Sequence, residues 1–426
     1  MKRLGVLIVA ISLAWIDQPA LAQGDDARER RPRETRKTEK LSPAVYDKIA
    51  EAQEALDAKN LGGAVSILDA LIAQADTLNN YEKAQVHNFY AAVHYEQGQV
   101  DRTIEDYKSL LRLGEGVPEQ LRNNSLFRLA QLYFVKEEYR LSVRVLDQWM
   151  TRVDSVRPEA HMLKAQAYYQ LDDFDAAEPA AIAALQESKR REQAPREQWL
   201  ALLRAIYYEQ GDYPKAAQVL GEMIERWPNP NYYKQLAGML GLMELQRAQL
   251  AVMHAAYRSG MLETESEILN MARLYMAEDA PNPAIDVLKQ AMRAGTVDAS
   301  ADNLQLLAQA MSLAKEYEQQ IPILQRAAEL SGQARQYVYL GQAQVALYDW
   351  EAAAASLEQA LEIGGLERPG STYMQIGTAY YNLKQYSRAR QAFKEAAAFA
   401  DYRDQARQWI TFVNQEVQRE TAMRGG

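Results

Sequence analysis

The sequence predicts an all-α chain built as an array of stacked helical hairpins, and three observations lead there. Apolar residues recur at helical spacing from Leu41 onward. The stretch Tyr207–Leu220, YYEQGDYPKAAQVL, ends one helical run at Gly211 and starts another after Asp212. That same pattern returns along a chain of 426 residues, long for one core and ordinary for an extended array.

Composition agrees with a folded, helix-rich chain. Hydrophobic residues make up 48% and charged residues 25%. The net charge of −9 argues against a nucleic-acid groove, which needs a basic surface. There is no cysteine, so disulfides and thiolate metal sites are excluded and burial alone must hold the fold.

The first residues read as an export signal. Lys2 and Arg3 precede the apolar run Leu4–Trp15, and Ala20-Leu21-Ala22 forms a small-residue cleavage site. The run is short for a membrane span. A signal peptide is therefore expected at 1–22, cut after Ala22, with a soluble periplasmic product. Cleavage would lower the net charge from −9 to about −10, since Lys2, Arg3 and Asp17 leave together. Residues 23–41 follow as a charged flexible linker, without a large apolar side chain before Leu41.

The repeats are aligned on their opening aromatic pair. HYEQGQVDRTIEDY begins at His94, YFVKEEYRLSVRVL at Tyr133, YYQLDDFDAAEPAA at Tyr168 and YYNLKQYSRARQAF at Tyr380. Successive starts from His94 to Tyr207 lie 39, 35 and 39 residues apart. Weaker copies, YMAEDAPNPAIDVL from Tyr275 and VALYDWEAAAASL from Val345, continue the series. One copy reads Tyr373-x2-Ile376-Gly377-x2-Tyr380, then Ala389-x3-Phe393. Another reads Leu200-x2-Leu203-Arg204-x2-Tyr207, then Ala216-x3-Leu220 and Pro228.

This spacing resembles the tetratricopeptide repeat (TPR), a helix–turn–helix unit of ~34 residues. The resemblance implies an α-solenoid, a right-handed superhelix of about ten hairpins over 42–400, closed by a capping helix and tail at 401–426. Gly377 and Ala165 would keep first helices thin, and Ala177, Ala216, Ala284 and Ala389 would do the same for second helices. Asp212 would cap a second helix, with Pro214 tolerated in its first turn. The pattern degenerates around 231–262 and 301–333, where Gln320 replaces the small residue and Pro322 follows. Looser packing or altered curvature there is one expectation, and simple drift is the other. In the last helix Tyr402, Ala406, Trp409, Val413 and Val417 share one apolar face.

No phosphate loop, dinucleotide fingerprint, zinc-protease motif or nucleophile elbow is present, and no catalytic residue, metal or cofactor is expected. His87 and His94 are seven residues apart, but with His161 and His254 they read as packing residues lacking a third ligand. Binding is the better prospect. The residue after each aligned Tyr or His is Tyr95, Phe134, Tyr169 or Tyr208 in four consecutive repeats. Leu56 and Tyr381 are the equivalents in the first and last repeats. One turn earlier stand Asn88, Phe127, Met162 and Ala201, with Gln131 and Gln166 between. An aromatic and amide strip suits an extended peptide in the groove; the alternative is that these rings only pack between repeats. The Lys/Asn/Arg pattern with which some TPR domains hold a C-terminal carboxylate is not visible.

A finer resemblance rests on layout. A signal peptide, a charged linker, then LSPAVYDKIAEAQEALDAKNLGGAVSILDAL (Leu41–Leu71) and a degenerate array resemble the periplasmic TPR proteins associated with TonB, ExbB and ExbD in marine gammaproteobacteria. That resemblance implies an accessory role in TonB-dependent outer-membrane uptake, with TonB or ExbD as partner. A scaffold for outer-membrane assembly, secretion or cell-wall machinery stays open. So do a glycan- or solute-binding solenoid and an enzyme with an unrecognised site.

Overall fold

A computed structural model describes residues 40–424. The expected signal peptide and nearly all of the linker lie outside them. The described residues form 21 α-helices and no strand. By its contacts the chain divides into two compact units, one ending at Trp227 and one beginning at Pro228.

The first unit holds five hairpins. They are α1 (Pro43–Asp57) with α2 (Leu61–Ile72), α3 (Asn80–Glu96) with α4 (Val100–Arg112), and α5 (Glu119–Val135) with α6 (Tyr139–Met150). Then come α7 (Pro158–Gln170) with α8 (Phe174–Arg190) and α9 (Glu197–Glu209) with α10 (Tyr213–Arg226). The second unit holds five more. They are α11 (Pro230–Leu242) with α12 (Gln246–Arg258), α13 (Glu265–Ala277) with α14 (Pro281–Ala294), and α15 (Ala301–Leu313) with α16 (Tyr317–Ser331). They continue through α17 (Ala334–Ala346) with α18 (Trp350–Ile363) and α19 (Pro369–Asn382) with α20 (Tyr386–Ala397), and end at α21 (Arg403–Arg424). The hairpins, five in each unit, and the closing helix agree with the expected all-α repeat array.

One turn geometry recurs in all ten. A single residue between the helices takes a positive φ, from 55° at Asp279 to 74° at Gly211. The next residue donates its N–H to the carbonyl five positions back, as Asp212 does to Tyr207 at 2.9 Å and Gln385 to Tyr380 at 2.9 Å. This satisfies carbonyls that the ending helix would otherwise leave unpaired. Only Gly98 and Gly211 occupy the left-handed position as glycines; Lys59, Glu137, Asp172 and others adopt it too. That conformation costs a non-glycine residue about 1–2 kcal/mol, so stacking of the hairpins must offset it. Asn60, Asp173, Asp212 and Asp349 cap their second helices with a side-chain oxygen, Asp212 accepting from the Lys215 N–H at 3.2 Å.

The hairpin core begins where the two helices come closest. Five residues past the left-handed position the second helix carries a small buried residue, including Ala64, Ser142, Ala177, Ala216 and Ala389. Ser142 Oγ donates back to the Ala130 carbonyl of α5 at 2.8 Å. The two hairpins that break this rule place Gln249 and Gln320 there, and they are the hairpins of the degenerate stretches. Both keep the common turn, through Glu244 and Lys315. Gln320 is buried, and its Nε2 donates to the Ala308 carbonyl at 3.0 Å, repeating with an amide the bond that Ser142 makes. Pro322 lies inside α16 without ending it.

At the end of the chain Ala406 and Val413 are buried, and Trp409 stacks on Phe393 with centroids 5.3 Å apart. The α21 face thus covers the last hairpin, as expected.

A Cβ on Gly377 would sit 2.5 Å from Phe393 Cε1, while one on Gly238 would meet nothing within 4 Å. Gly377→Ala should therefore destabilise the second unit by about 1–3 kcal/mol through overpacking. Gly238→Ala should leave stability unchanged or raise it by up to about 1 kcal/mol through helix propensity. Urea or thermal melts of the two variants check this; equal melts would refute the close-approach argument.

Candidate functional site

Tyr95, Phe134, Tyr169 and Tyr208 each stand three residues before the left-handed turn residue of their hairpin. Three of these rings turn onto the first residue of the following helix. Phe134 meets Tyr139 at 5.1 Å, Tyr169 meets Phe174 at 5.5 Å and Tyr208 meets Tyr213 at 5.8 Å between centroids. Tyr381 repeats the arrangement with Tyr386 at 6.0 Å. Tyr95 packs beside Val100 on the cluster of Ile104 and Tyr107. Each ring therefore braces its own turn, a five-residue pairing not read from the sequence. The signal was present in the aromatic residue that opens three second helices in succession.

Bracing leaves part of these rings uncovered. Tyr95, Phe134 and Tyr169 are half-buried, and Tyr208 is 45% exposed. Such surface remains available to a partner. The residues one turn earlier are less uniform. Met162 is buried in the core, whereas Asn88, Ala201, Gln131 and Gln166 are half-buried, as is Leu56, the first-repeat equivalent of the rings. Phe127 packs on Trp149 at 5.0 Å with the Arg157 guanidinium 4.8 Å over its ring. Phe127 and Phe134 share the cluster of Leu126, Leu146 and Trp149.

His94 and His254 are held by ring and hydrogen-bond contacts. His94 Nδ1 lies 2.6 Å from Asp106, and its ring stacks on Tyr90 at 5.8 Å. His254 bonds the Tyr275 hydroxyl. No cluster of metal-ligating side chains occurs among the described residues, and no described helix is long and apolar enough to cross a membrane.

Two open clefts occur among the described residues. One, of about 280 Å³, is lined by Asp172, Asp173, Phe174, Asp175 and Gln210. The other, of about 270 Å³, lies among α15, α16 and α17, and its lining includes Gln305, Gln309, Ser312, Gln320 and Gln342. The sequence strip did not include this second cleft.

With this geometry in view, models of the tetratricopeptide repeat match residues 49–118 and 127–195, 203–230, and 370–400. The chain carries tetratricopeptide repeats, as the spacing predicted. A tetratricopeptide repeat protein from Parabacteroides merdae ATCC 43184 is similar at 17% identity, over 63% of this chain and 100% of that one, with a TM-score of 0.38. YrrB, described as a TPR protein with an unusual peptide-binding site, is similar at 18% identity over 45% of this chain and 97% of its own, with a TM-score of 0.37. The TPR2AB domain of yeast Sti1, solved with pHSP90, is similar at 14% identity over 62% and 98%, with a TM-score of 0.35. No curated protein sequence matches. None of these likenesses supports the association with TonB, ExbB or ExbD.

Burial holds the pKa of His87 below its ordinary 6.5, with Arg112 acting in the same direction. Burial also depresses His161, with Lys164 adding to it against an opposing Glu187. A base with a depressed folded-state pKa resists protonation that the unfolded chain accepts. Its stabilising contribution is present above the unfolded pKa and is lost as pH falls below it. The paired change His87→Gln and His161→Gln should therefore reduce the drop in Tm between about pH 7.5 and about pH 5. Melts across that range check it, and an unchanged drop would show that other groups govern acid sensitivity.

Proposed function

We propose that this chain of tetratricopeptide repeats is an exported, non-catalytic scaffold that holds an extended polypeptide. One observation carries the reading: rings at the same turn position in consecutive hairpins keep part of their surface uncovered. Repeated, regularly spaced apolar anchors suit an extended chain better than a compact ligand. The segment at 1–22 supports export to the periplasm.

Phe134→Ala and Tyr169→Ala should each weaken partner binding by about 1–3 kcal/mol. Because both rings brace turns, melting must be followed in parallel. Reduced affinity in protein that remains folded supports the reading. A lower Tm with unchanged affinity shows that the rings only pack.

The machine served is, in this proposal, a TonB–ExbB–ExbD complex. The likeness of layout around Leu41–Leu71 supports it. TonB must cross the periplasm through an extended, flexible segment. A rigid row of hairpins that holds such a segment, or the periplasmic part of ExbD, lowers the ordering entropy lost on engaging a receptor. A mature charge of about −10 favours a Lys-rich linker, with association weakening as salt rises. Deletion of the gene should slow growth on a substrate that enters only through TonB-dependent receptors, and crosslinking should recover TonB or ExbD. Normal growth with no crosslink would overturn the TonB assignment and leave the scaffold intact.

A further inference from the structure

Besides Gln249 and Gln320, the two irregular hairpins share a second departure. Three residues before the left-handed turn residue, where the first unit has Tyr95, Phe134, Tyr169 and Tyr208, they carry Gly241 and Ser312. At the next position, where the first unit has Glu96, Val135, Gln170 and Glu209, they carry Leu242 and Leu313. The large apolar side chain stands one place further along the helix. That swings it about 100° around the axis, away from the turn it would brace.

The glutamines account for part of this. A Cβ on Gly241 would lie 3.1 Å from Gln249 Nε2, so the amide leaves no room for a ring there. They do not account for the leucines. Leu242 is 59% exposed and Leu313 56%. Glu96, Gln170 and Glu209 serve at that place in regular hairpins, and leucine forms helix about as well as glutamate or glutamine. Leu245, 50% exposed, shares the turn of Leu242, and Tyr348, itself a left-handed turn residue, is 75% exposed. Among the described residues, every large hydrophobic that is half exposed or more stands at one of these turns, save Met423 near the chain end.

The leucine position holds exposed Ala277 and Ala346 in the neighbouring hairpins. An apolar row, Leu242, Ala277, Leu313 and Ala346, thus crosses four successive hairpins of the second unit. Its surroundings are acidic, with Glu244, Asp279, Glu318, Asp349 and Glu351 exposed around the same turns. Against them stand Lys315 and Arg247, the latter paired with Glu278 at 2.7 Å.

We propose that this row of turns docks a basic amphipathic helix of a partner protein. Charge selects the partner. A second copy of this edge, or an anionic bilayer, would bring like charges together, whereas Lys and Arg flanking an apolar stripe would meet the acids. Spacing selects the helix. First helices of successive hairpins touch, as α13 and α15 do, and packed helices lie about 8–10 Å apart. A helix advances about 10 Å in seven residues and returns the same face, so one stripe meets every hairpin. An extended strand covers that distance in about three residues, which turns alternate contacts away. The row lies wholly in the second unit, and the inference does not rest on the reading of Phe134 and Tyr169.

The test is fluorescence anisotropy of the full chain with a labelled helical peptide of about 21 residues, Leu on one face and Lys on the other. One comparison peptide carries Glu in place of Lys, and a second has the same Leu and Lys in scrambled order. The Leu/Lys helix should bind, and both comparison peptides should bind at least about tenfold more weakly. Leu242→Gln with Leu313→Gln places there the residue type of Gln170, so it should keep the parent Tm and lose at least about tenfold in affinity. Glu244→Lys with Glu318→Lys should weaken the Leu/Lys helix and strengthen the Leu/Glu one. Leu330→Gln with Ile363→Gln, exposed residues at the far ends of α16 and α18, should leave affinity unchanged. The proposal is overturned by no binding at ~1 mM, by equal binding of either comparison peptide, by full affinity in the Leu242 and Leu313 variant, or by an equal loss in the Leu330 and Ile363 variant. Sedimentation that shows a dimer dissolved by the Leu242 and Leu313 change would assign the row to a second copy and overturn it as well.

Discussion

Two helices in each hairpin must approach closely before anything else in the array can form, and a small residue permits the approach. The residue five positions past the turn is Ala, Ser or Thr in eight hairpins, and the facing first helix is thin at Ala130, Ala165, Gly341 and Gly377. At Gly377 there is no room even for a methyl group, because the Phe393 ring already occupies it. Large buried side chains such as Phe393, Leu220 and Leu146 can then lie across the seam. The left-handed turn follows from the same requirement. It reverses the chain within three residues, so the second helix starts beside the end of the first. Residues as unsuited to that conformation as Tyr348 and Lys384 adopt it. Packing along the hairpin therefore prevails over the local preference of the turn residue.

Much of this architecture is legible from the sequence because it rests on spacing. The phase of Tyr133, Tyr168, Tyr207, Tyr275 and Tyr380 marks the helix ends, since each of these carbonyls accepts the closing bond of its turn. The capping role of Asp212 and the apolar face of α21 are also local patterns. The destination of the strip rings is less accessible. Phe134 and Tyr139 are five residues apart, and periodicity along one helix does not relate residues on opposite sides of a turn. The reading of Tyr95, Phe134, Tyr169 and Tyr208 as one strip captured their common position but not the partner that each ring meets first. The cleft in the second unit is further out of reach. Gln320 was visible as an exception, but its burial, its bond to Ala308 and its unpaired oxygen depend on three helices at once.

The two kinds of surface differ in what their side chains have left to give. In the first unit the rings of Phe134, Tyr169 and Tyr208 are partly occupied by Tyr139, Phe174 and Tyr213, so a partner gains only the contact that remains. In the hairpin of α15 and α16 a serine stands in the ring position and a glutamine in the small-residue position. Each change alone would weaken a regular hairpin: the first leaves a gap, and the second puts an amide where a methyl group fits. The amide is accommodated because Gln320 Nε2 donates to the Ala308 carbonyl, the counterpart of the Ala130 carbonyl that Ser142 bonds. The Oε1 of Gln320 stays buried without a donor. In the first unit the ring pairs add to a turn that backbone hydrogen bonds already close. In the irregular hairpin the backbone still closes the turn, Glu316 donating its N–H to the Met311 carbonyl at 2.9 Å, so breaking the repeat pattern alters side-chain packing and leaves the chain reversal intact.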